Sequence, residues 1–316
     1  LKPSELAPAS SALLAEIVAD SFNPHHVAVI EGGAEAGQQL MEHPFDAWFY
    51  TGSERVGRLY AEAAARHLAP ITLELGGKCP AILLEDAPLA PTVERLVATK
   101  FFNAGQTCMA PDFVVVPEMR RKEFVEALVE ELERAYRDHP EDLARIVNES
   151  HFDRLDGMLT TDAIQVGENR KEDRFFAPTI IPSARWDDPA MKEEVFGPIL
   201  PVIGYRDLET LVEQLADRPS PLALYVFSAN RALSEAVAEE IPSGSVCFND
   251  AVKQATTLQL PFGGVGASGM GRYRGRHGFE TFTYARAVTR RWFWKDPFLT
   301  KPPYGDTLER LRKILK

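Results

Sequence analysis

A cysteine in a turn-forming segment is the side chain whose surroundings best suit nucleophilic chemistry. Cys108 lies in the segment NAGQTCMAP at 103–111, which follows a predicted helix. Backbone N–H groups in such a turn can stabilise a thiolate, or the oxyanion that forms when a thiol attacks a carbonyl group. We therefore take Cys108 as the candidate nucleophile. Cys79 is the competing candidate, whereas Cys247 lies in an apolar strand, which is typical of a core cysteine.

Two carboxylates stand where they could assist such a thiol. Glu74 lies in the alternating segment ITLEL at 71–75, just before a glycine pair, and could act there as a general base. The pattern alone favours another interpretation, a surface carboxylate on the polar face of a half-buried strand. Glu194, in EEVFGP at 193–198, is either part of a solvated loop or a hydrogen-bond acceptor for a ribose.

The segment GSERVG at 52–57 joins a predicted buried strand to a predicted helix. Glycines allow a tight turn there, and the unpaired N–H groups of a helix N-terminus can bind a phosphate. The segment has neither the G-x-G-x-x-G pattern nor the lysine of a Walker loop, so the signal is weak. A phosphate-binding turn and an ordinary strand-to-helix turn therefore both stay open.

The composition excludes several classes of protein. The 316 residues include 35 Lys and Arg against 46 Asp and Glu, and this net charge of −11 argues against nucleic acid or an anionic membrane as a partner. No stretch approaches the roughly 20 apolar residues that cross a bilayer. No cluster of side chains has metal-ligand spacing, so no metal is predicted. Three scattered cysteines predict reduced thiols and a cytoplasmic location.

Alternating strands and helices must position these side chains. Apolar runs predict strands at 27–30, 47–51, 71–75, 81–84 and 112–116, and later near 199–203, 222–227 and 245–249. Helical periodicity predicts helices at 11–20, 55–68, 91–102 and 119–138, and later near 207–216 and 231–240. Because helices separate the strands, we expect an α/β fold with a mostly parallel sheet. The glycine-rich stretch at 261–278 is predicted to be a long loop, either ordered or mobile.

The order of the motifs resembles that of the aldehyde dehydrogenase superfamily along nearly the whole chain. The motifs that carry the resemblance are GSERVG at 52–57, ELGGK at 74–78, GQTC at 105–108, EVFGP at 194–198 and PFGG at 261–264. PLALYVFS at 221–228 and PFGGVG at 261–266 are similar to the class 3 branch, which includes fatty, aromatic and coniferyl aldehyde dehydrogenases.

This resemblance implies an aldehyde dehydrogenase-like α/β fold with a division into three parts. A partial Rossmann-type cofactor domain is expected at 1–73, and a catalytic thiol domain with a mostly parallel sheet at 74–260. A glycine-rich loop and C-terminal segment at 261–316 are expected to return to the cofactor domain or to the oligomer interface.

The resemblance also implies a role for each motif. Cys108 is expected to attack an aldehyde, forming a thiohemiacetal that loses hydride to NAD or NADP and becomes a thioester. Glu74 is expected to activate the water that hydrolyses the thioester. The residues expected to hold the cofactor are Lys2 and Glu5 at the adenosine ribose, Gly52, Ser53 and Gly57 at the pyrophosphate, Leu75, and Glu194 and Phe196 at the nicotinamide. Glu5 disfavours a 2′-phosphate and Lys2 could offset it, so the choice between NAD and NADP stays open.

One part of the family pattern has no counterpart in this sequence. In the family, a segment with the first strands of the cofactor domain and an oxyanion-binding Asn precedes the motif found here as KPSE at 2–5. We therefore expect an uncovered sheet edge and uncovered apolar helix faces. An inactive fragment or non-catalytic remnant is thus the alternative function, and a cysteine-dependent esterase is the third. The expected partners are a small-molecule aldehyde and a second copy of the chain in a homodimer.

Overall fold

Two β-sheets hold the candidate residues. The computed structural model describes residues 1–293 and 302–315 of the chain. Its strands are β1 (Trp48–Gly52), β2 (Ile71–Leu75), β3 (Pro80–Leu83), β4 (Phe113–Pro117), β5 (Ile164–Gln165), β6 (Thr179–Ile181), β7 (Ile199–Tyr205), β8 (Leu224–Phe227), β9 (Val246–Phe248) and β10 (Gly269–Met270). Both sheets lie in the first of two compact units, Leu1–Phe282 and Thr283–Lys316.

Helices follow most of the strands, as the alternating pattern predicts. They are α1 (Pro8–Ser21), α2 (Ala34–Met41), α3 (Glu54–Arg66), α4 (Leu89–Lys100), α5 (Arg121–Tyr136), α6 (Glu149–Asp156), α7 (Pro189–Lys192), α8 (Leu208–Ala216), α9 (Arg231–Glu240), α10 (Gly275–Thr281) and α11 (Thr307–Ile314). Short 3₁₀ turns lie at Phe102–Gly105, Glu118–Arg120, Pro140–Asp142, Lys171–Asp173, Lys253–Thr256 and Gly266–Ser268. Among the described residues, none of the helices has the length and hydrophobicity that crossing a bilayer requires.

The smaller sheet places Glu74 on its central strand. Its order is β1-β2-β10, with β1 parallel and β10 antiparallel to β2. The register pairs Glu74 with Thr51 on β1 and with Gly269 on β10. Residues far apart along the chain therefore flank Glu74 on both sides.

The larger sheet forms the main hydrophobic core of the first unit. Its order is β5-β6-β7-β4-β3-β8-β9, and every neighbouring pair is parallel except β5 and β6. Strands β3, β4 and β8 are buried along their whole length, which is the pattern of a parallel sheet covered on both faces. The predicted α/β fold with a mostly parallel sheet is confirmed.

The predicted strand at 27–30 is wrong. These residues, which lie within the described range, have no regular secondary structure. Their backbone bonds to the start of the chain and to the preceding turn: the Leu1 nitrogen donates to the Ala28 carbonyl over 2.6 Å, the Ile30 N–H donates to the Leu1 carbonyl over 2.8 Å, and the Val27 N–H donates to the Asn23 carbonyl over 3.1 Å. An apolar run becomes a strand only where a neighbouring strand completes its hydrogen bonds.

The first helix differs from its prediction at its start and on its apolar face. It begins at Pro8, whereas the periodicity predicts a helix at 11–20. Leu13 and Ile17, which the helical periodicity places on one apolar face, are exposed.

The glycine-rich stretch at 261–278 contains short regular elements where a long loop, ordered or mobile, is predicted. It contains β10, an antiparallel bridge between Phe262 and Tyr273, and the start of α10. Backbone hydrogen bonds to distant residues create this order, and the sequence pattern gives no sign of them. The division at 1–73, 74–260 and 261–316 stays a prediction, and residues 294–301 and 316 of its last part lie outside the described residues.

Candidate active site

The turn that carries Cys108 follows α4 through three residues with left-handed backbone conformation. Asn103, Ala104 and Gly105 have φ angles of 51°, 53° and 72°, and each such residue with a Cβ costs about 1–3 kcal/mol. A Cβ on Gly105 would lie 2.2 Å from the Gly197 carbonyl oxygen, so glycine is required there. The close approach brings the Cys108 turn against the segment that contains Gly197.

The Cys108 thiol is partly buried and lies beside the Glu74 carboxylate. Burial raises the pKa of the thiol well above its usual value, and Glu74 raises it further through its negative charge and as a hydrogen-bond acceptor for the thiol. Because the thiolate is the nucleophilic form, the proton must leave before attack. The pair thus combines a protonated thiol with a group that can take its proton.

Glu74 itself is buried, with 4% of the residue exposed. The interpretation as a surface carboxylate is therefore wrong, because strands flank Glu74 on both sides and the Cys108 thiol lies beside it. Its Oε2 accepts a hydrogen bond from the Thr51 hydroxyl. Its Oε1 is buried and receives no hydrogen bond of standard geometry from any described residue.

Two side chains near this pair, Thr51 and Tyr273, are not among the sequence-based candidates. Burial, together with the charges of Glu74 and Cys108, raises the pKa of Tyr273 to about 12, so its hydroxyl stays protonated at neutral pH. Thr51 could have been found as the residue before the glycine turn. No sequence signal marks Tyr273, because its place depends on the bridge to Phe262.

Cys79 is fully buried next to the Cys108 turn. Its Sγ donates to the Cys108 carbonyl oxygen over 3.6 Å, and burial raises the pKa of its thiol. A fully buried, protonated thiol suits a structural contact, so the geometry favours Cys108 over Cys79 as the nucleophile. Cys247 lies in β9 as predicted but is only partly buried.

Three side chains hold the loop at 193–195. Arg154, on α6, donates to the Glu194 carbonyl over 3.1 Å and to the Val195 carbonyl over 2.6 Å. From the other side, Asp112 accepts from the Val195 N–H over 2.8 Å, and Lys78 pairs with Asp112 and donates to the carbonyl of Glu193 over 2.9 Å. The loop is thus fixed through its backbone.

Glu194 is not a solvated loop residue. Its carboxylate lies against Gly76, where a Cβ would come within 2.1 Å of Oε2, and it accepts a hydrogen bond from the Gly77 N–H. Burial, helped by the charge of Asp112, raises the pKa of Glu194 to about 8. Phe196 follows with a φ of 44°, a strained conformation for a residue with a bulky side chain.

The junction of β1 and α3 contains the other glycine turn. Gly52 ends β1 and Ser53 precedes the first turn of α3, which no side chain of the described residues caps. Tyr50 lies over this turn, with its hydroxyl against Gly52 and hydrogen-bonded to Ser53. Inside the helix, a Cβ on Gly57 would come within 2.8 Å of the Leu75 side chain, so Gly57 and Leu75 set how closely α3 packs on β2.

Lys2 and Glu5 form an ion pair of 3.0 Å near the start of the chain. A backbone hydrogen bond and the pairing with Lys2 lower the pKa of Glu5, so it is ionised at neutral pH. Both side chains come close to glycines at α2, Glu5 to Gly33 and Lys2 to Gly37. The structure thus groups Lys2 and Glu5 beside α2, and separately brings Cys108 and Glu74 together.

The site offers a thiol, a buried carboxylate and backbone N–H groups in a tight turn. This set can attack a carbonyl carbon and then hydrolyse the resulting thioester. Within 1–293 and 302–315, no group of three or more His, Cys, Asp and Glu side chains could hold a metal ion.

Comparison with known families and proteins gives a consistent result. The model of the aldehyde dehydrogenase family matches residues 1–288. "Aldehyde dehydrogenase family 3 member H1" from Arabidopsis thaliana is 40% identical over 324 residues, which cover 100% of this chain and 67% of that protein. The chain spans about two thirds of the length of the curated relatives it matches.

Solved structures agree at the level of the fold. The substrate-bound state of Staphylococcus aureus AldH superposes with a TM-score of 0.94 at 36% identity, covering 100% of this chain and 70% of that one. A Mycobacterium tuberculosis aldehyde dehydrogenase in complex with NAD+ superposes with a TM-score of 0.82 at 29% identity, covering 94% of this chain and 64% of that one.

Proposed function

Because this chain belongs to the aldehyde dehydrogenase family, we propose that it oxidises an aldehyde to a carboxylic acid with NAD or NADP as the hydride acceptor. The observation that carries the proposal is the buried Glu74 carboxylate beside the Cys108 thiol. Glu74 takes the thiol proton as the Cys108 sulfur attacks the aldehyde carbon. The Cys108 backbone N–H stabilises the oxyanion that forms. A bound NAD or NADP would supply the hydride acceptor that the conversion of the Cys108 thiohemiacetal to a thioester requires.

Glu74 then acts a second time. Once it has released the thiol proton to solvent, it takes a proton from water, which attacks the thioester carbon and releases the carboxylic acid, and it passes that proton to the leaving Cys108 thiolate. Oε1 of Glu74 is buried and has no standard hydrogen bond from a described residue, so it is the carboxylate oxygen whose acceptor capacity is unused. One aldehyde, one water and one oxidised cofactor thus give one acid, one reduced cofactor and one proton.

The residues that would hold the cofactor fit a dinucleotide. The first turn of α3, after Gly52 and Ser53, lacks a side-chain cap from the described residues and can bind the pyrophosphate. Glu194 would accept from the nicotinamide ribose and Phe196 would contact the ring. Lys2 and Glu5 would meet the adenosine ribose, and Gly57 and Leu75 would support the turn. The cofactor in the Mycobacterium tuberculosis structure is NAD+.

Reduction of NAD and of NADP by the purified protein with hexanal or benzaldehyde tests the proposal. We expect the absorbance of the reduced nicotinamide to increase only when the aldehyde is present. A folded protein that reduces neither cofactor would contradict the proposal and favour a non-catalytic remnant. Ester hydrolysis without any aldehyde oxidation would favour an esterase, which has no use for the Glu194 loop.

Arg154, Asp112 and Lys78, which fix the backbone of the loop at 193–195, are here called the clamp. The clamp gives a prediction about the affinity for the cofactor. In Arg154→Met, the side-chain length is kept while the donors to the carbonyls of Glu194 and Val195 are lost. We expect the KM for NAD to rise about tenfold, because the loop that holds the nicotinamide loses its backbone anchor. Arg231→Met, which removes an exposed helix ion pair, is the control. An unchanged KM for NAD in Arg154→Met would show that the clamp does not set cofactor affinity.

The location and assembly of the protein are part of the proposal. The three cysteines are free thiols, which supports a reducing compartment such as the cytoplasm. We propose that two copies of the chain form a homodimer and that each copy binds an aldehyde at its own site. Mass measurement in solution tests the dimer, and a monomer at working concentration would contradict it.

A further inference from the structure

We propose that Thr51 is the positioning residue of the Glu74 base. Its hydroxyl donates to Oε2 of Glu74 and thereby fixes the carboxylate, while Oε1 is left without a standard hydrogen bond from a described residue. This inference rests on the proposed function, because it assigns to Thr51 an effect on the step that Glu74 performs. Nothing in the reaction requires Thr51 to touch the substrate.

The register of the smaller sheet makes this contact possible. β1 and β2 run parallel, and Thr51 is the residue directly paired with Glu74. Both side chains stand at the carboxyl ends of their strands, and Gly52 follows Thr51 at the glycine turn. The contact thus comes from strand pairing rather than from a mobile loop.

A single donor matters here because the carboxylate of a glutamate can rotate about χ3, and the energy of that terminal torsion has no sharp minimum. Glu74 is buried, and of its two oxygens only Oε2 has a hydrogen bond of standard geometry from a described side chain. The Thr51 hydroxyl therefore selects one orientation of the carboxylate.

The exposure of Thr51 makes the inference testable. Thr51 is exposed at the end of β1, whereas Glu74 is buried. Valine has the shape of threonine and suits a strand, so Thr51→Val removes the donor with little effect on the core. Serine keeps the donor and loses only a methyl group. Thr92→Val is the matched control, because Thr92 is a buried threonine on α4 whose hydroxyl bonds to the Pro88 carbonyl.

Hydrolysis of p-nitrophenyl acetate separates the two steps without a cofactor. The Cys108 sulfur displaces p-nitrophenolate as Glu74 takes the thiol proton, giving a burst of product. Water then attacks the acetyl thioester with Glu74 as base, releasing acetate and restoring the thiol, and this step sets the rate after the burst. Aldehyde oxidation is measured beside it on the same variants.

We expect Thr51→Val to keep the burst amplitude and the melting temperature while its rate after the burst falls about tenfold. Thr51→Ser should restore that rate, and Thr92→Val should match the wild type. A Thr51→Val protein that hydrolyses at the wild-type rate would overturn the inference. So would a loss of burst and melting temperature together, since that indicates a structural role. A wild-type protein without any burst would instead contradict the proposed function and, with it, this inference.

Discussion

Cys108→Ala is expected to lower aldehyde-dependent reduction of NAD and NADP at least about 10⁴-fold, because no covalent intermediate can form without the nucleophile. The variant should remain folded, since Cys108 is only partly buried and alanine leaves its turn unchanged. The measurement is the initial rate with benzaldehyde at saturating cofactor. Cys247→Ala, on β9, is the control and should keep most of the activity.

Alkylation of Cys108 by iodoacetamide tests the state of the thiol directly. Burial and the Glu74 charge hold the pKa of Cys108 well above its usual value. At any pH below that pKa, the thiolate fraction rises about tenfold per pH unit. The alkylation rate should therefore climb steadily from about pH 6 to 9 without a plateau. A plateau below about pH 7 would contradict a thiol kept protonated, and activity retained in Cys108→Ala would contradict the nucleophile itself.

Glu74→Gln is expected to slow hydrolysis of the thioester about 10²- to 10⁴-fold, the usual contribution of a general base. The amide has nearly the shape of the carboxylate but cannot take a proton from water. Rapid mixing with p-nitrophenyl acetate should show a burst followed by a very slow steady rate. Glu62→Gln, an exposed change on α3, is the control and should behave as the wild type.

The same variant should change thiol reactivity in the opposite direction. Glu74 raises the pKa of Cys108, so its neutralisation lowers that pKa and increases the thiolate fraction at a given pH. We therefore expect faster alkylation of Cys108 together with slower thioester hydrolysis. A variant in which alkylation slows would contradict the expected effect of the Glu74 charge on the pKa of Cys108, and unchanged thioester hydrolysis would contradict the role of Glu74 as the base.

Much of the fold could be predicted because continuous apolar runs in this chain become buried parallel strands. The run at 113–117 is one such case, since both faces of β4 are covered. The run at 27–30 looks equally apolar and is not a strand, because within the described residues no neighbouring strand pairs with it, and its backbone bonds to Leu1 and Asn23. Strand formation depends on a neighbour, which a local pattern does not contain.

The candidate site likewise contains features that a local sequence pattern predicts and features that it does not. The position of Cys108 in a turn follows from Gly105 and Pro111, whose backbone preferences are local. The burial of Glu74 does not, because the alternation at 71–75 is typical of a half-exposed strand. Its polar face is covered by residues much later in the chain. No local sequence pattern predicts the contact of Glu194 with Gly76 either.

The late position of β10 has a consequence for biosynthesis. All strands of the larger sheet end by Phe248, whereas the third strand beside Glu74 consists of Gly269 and Met270. A chain that leaves the ribosome N-terminus first can therefore complete the sheet that supports the thiol while β2 still has an open edge. The surroundings of Glu74 are complete only after residue 270 has emerged, so the Cys108 turn of a nascent chain is made before the third strand beside Glu74 exists.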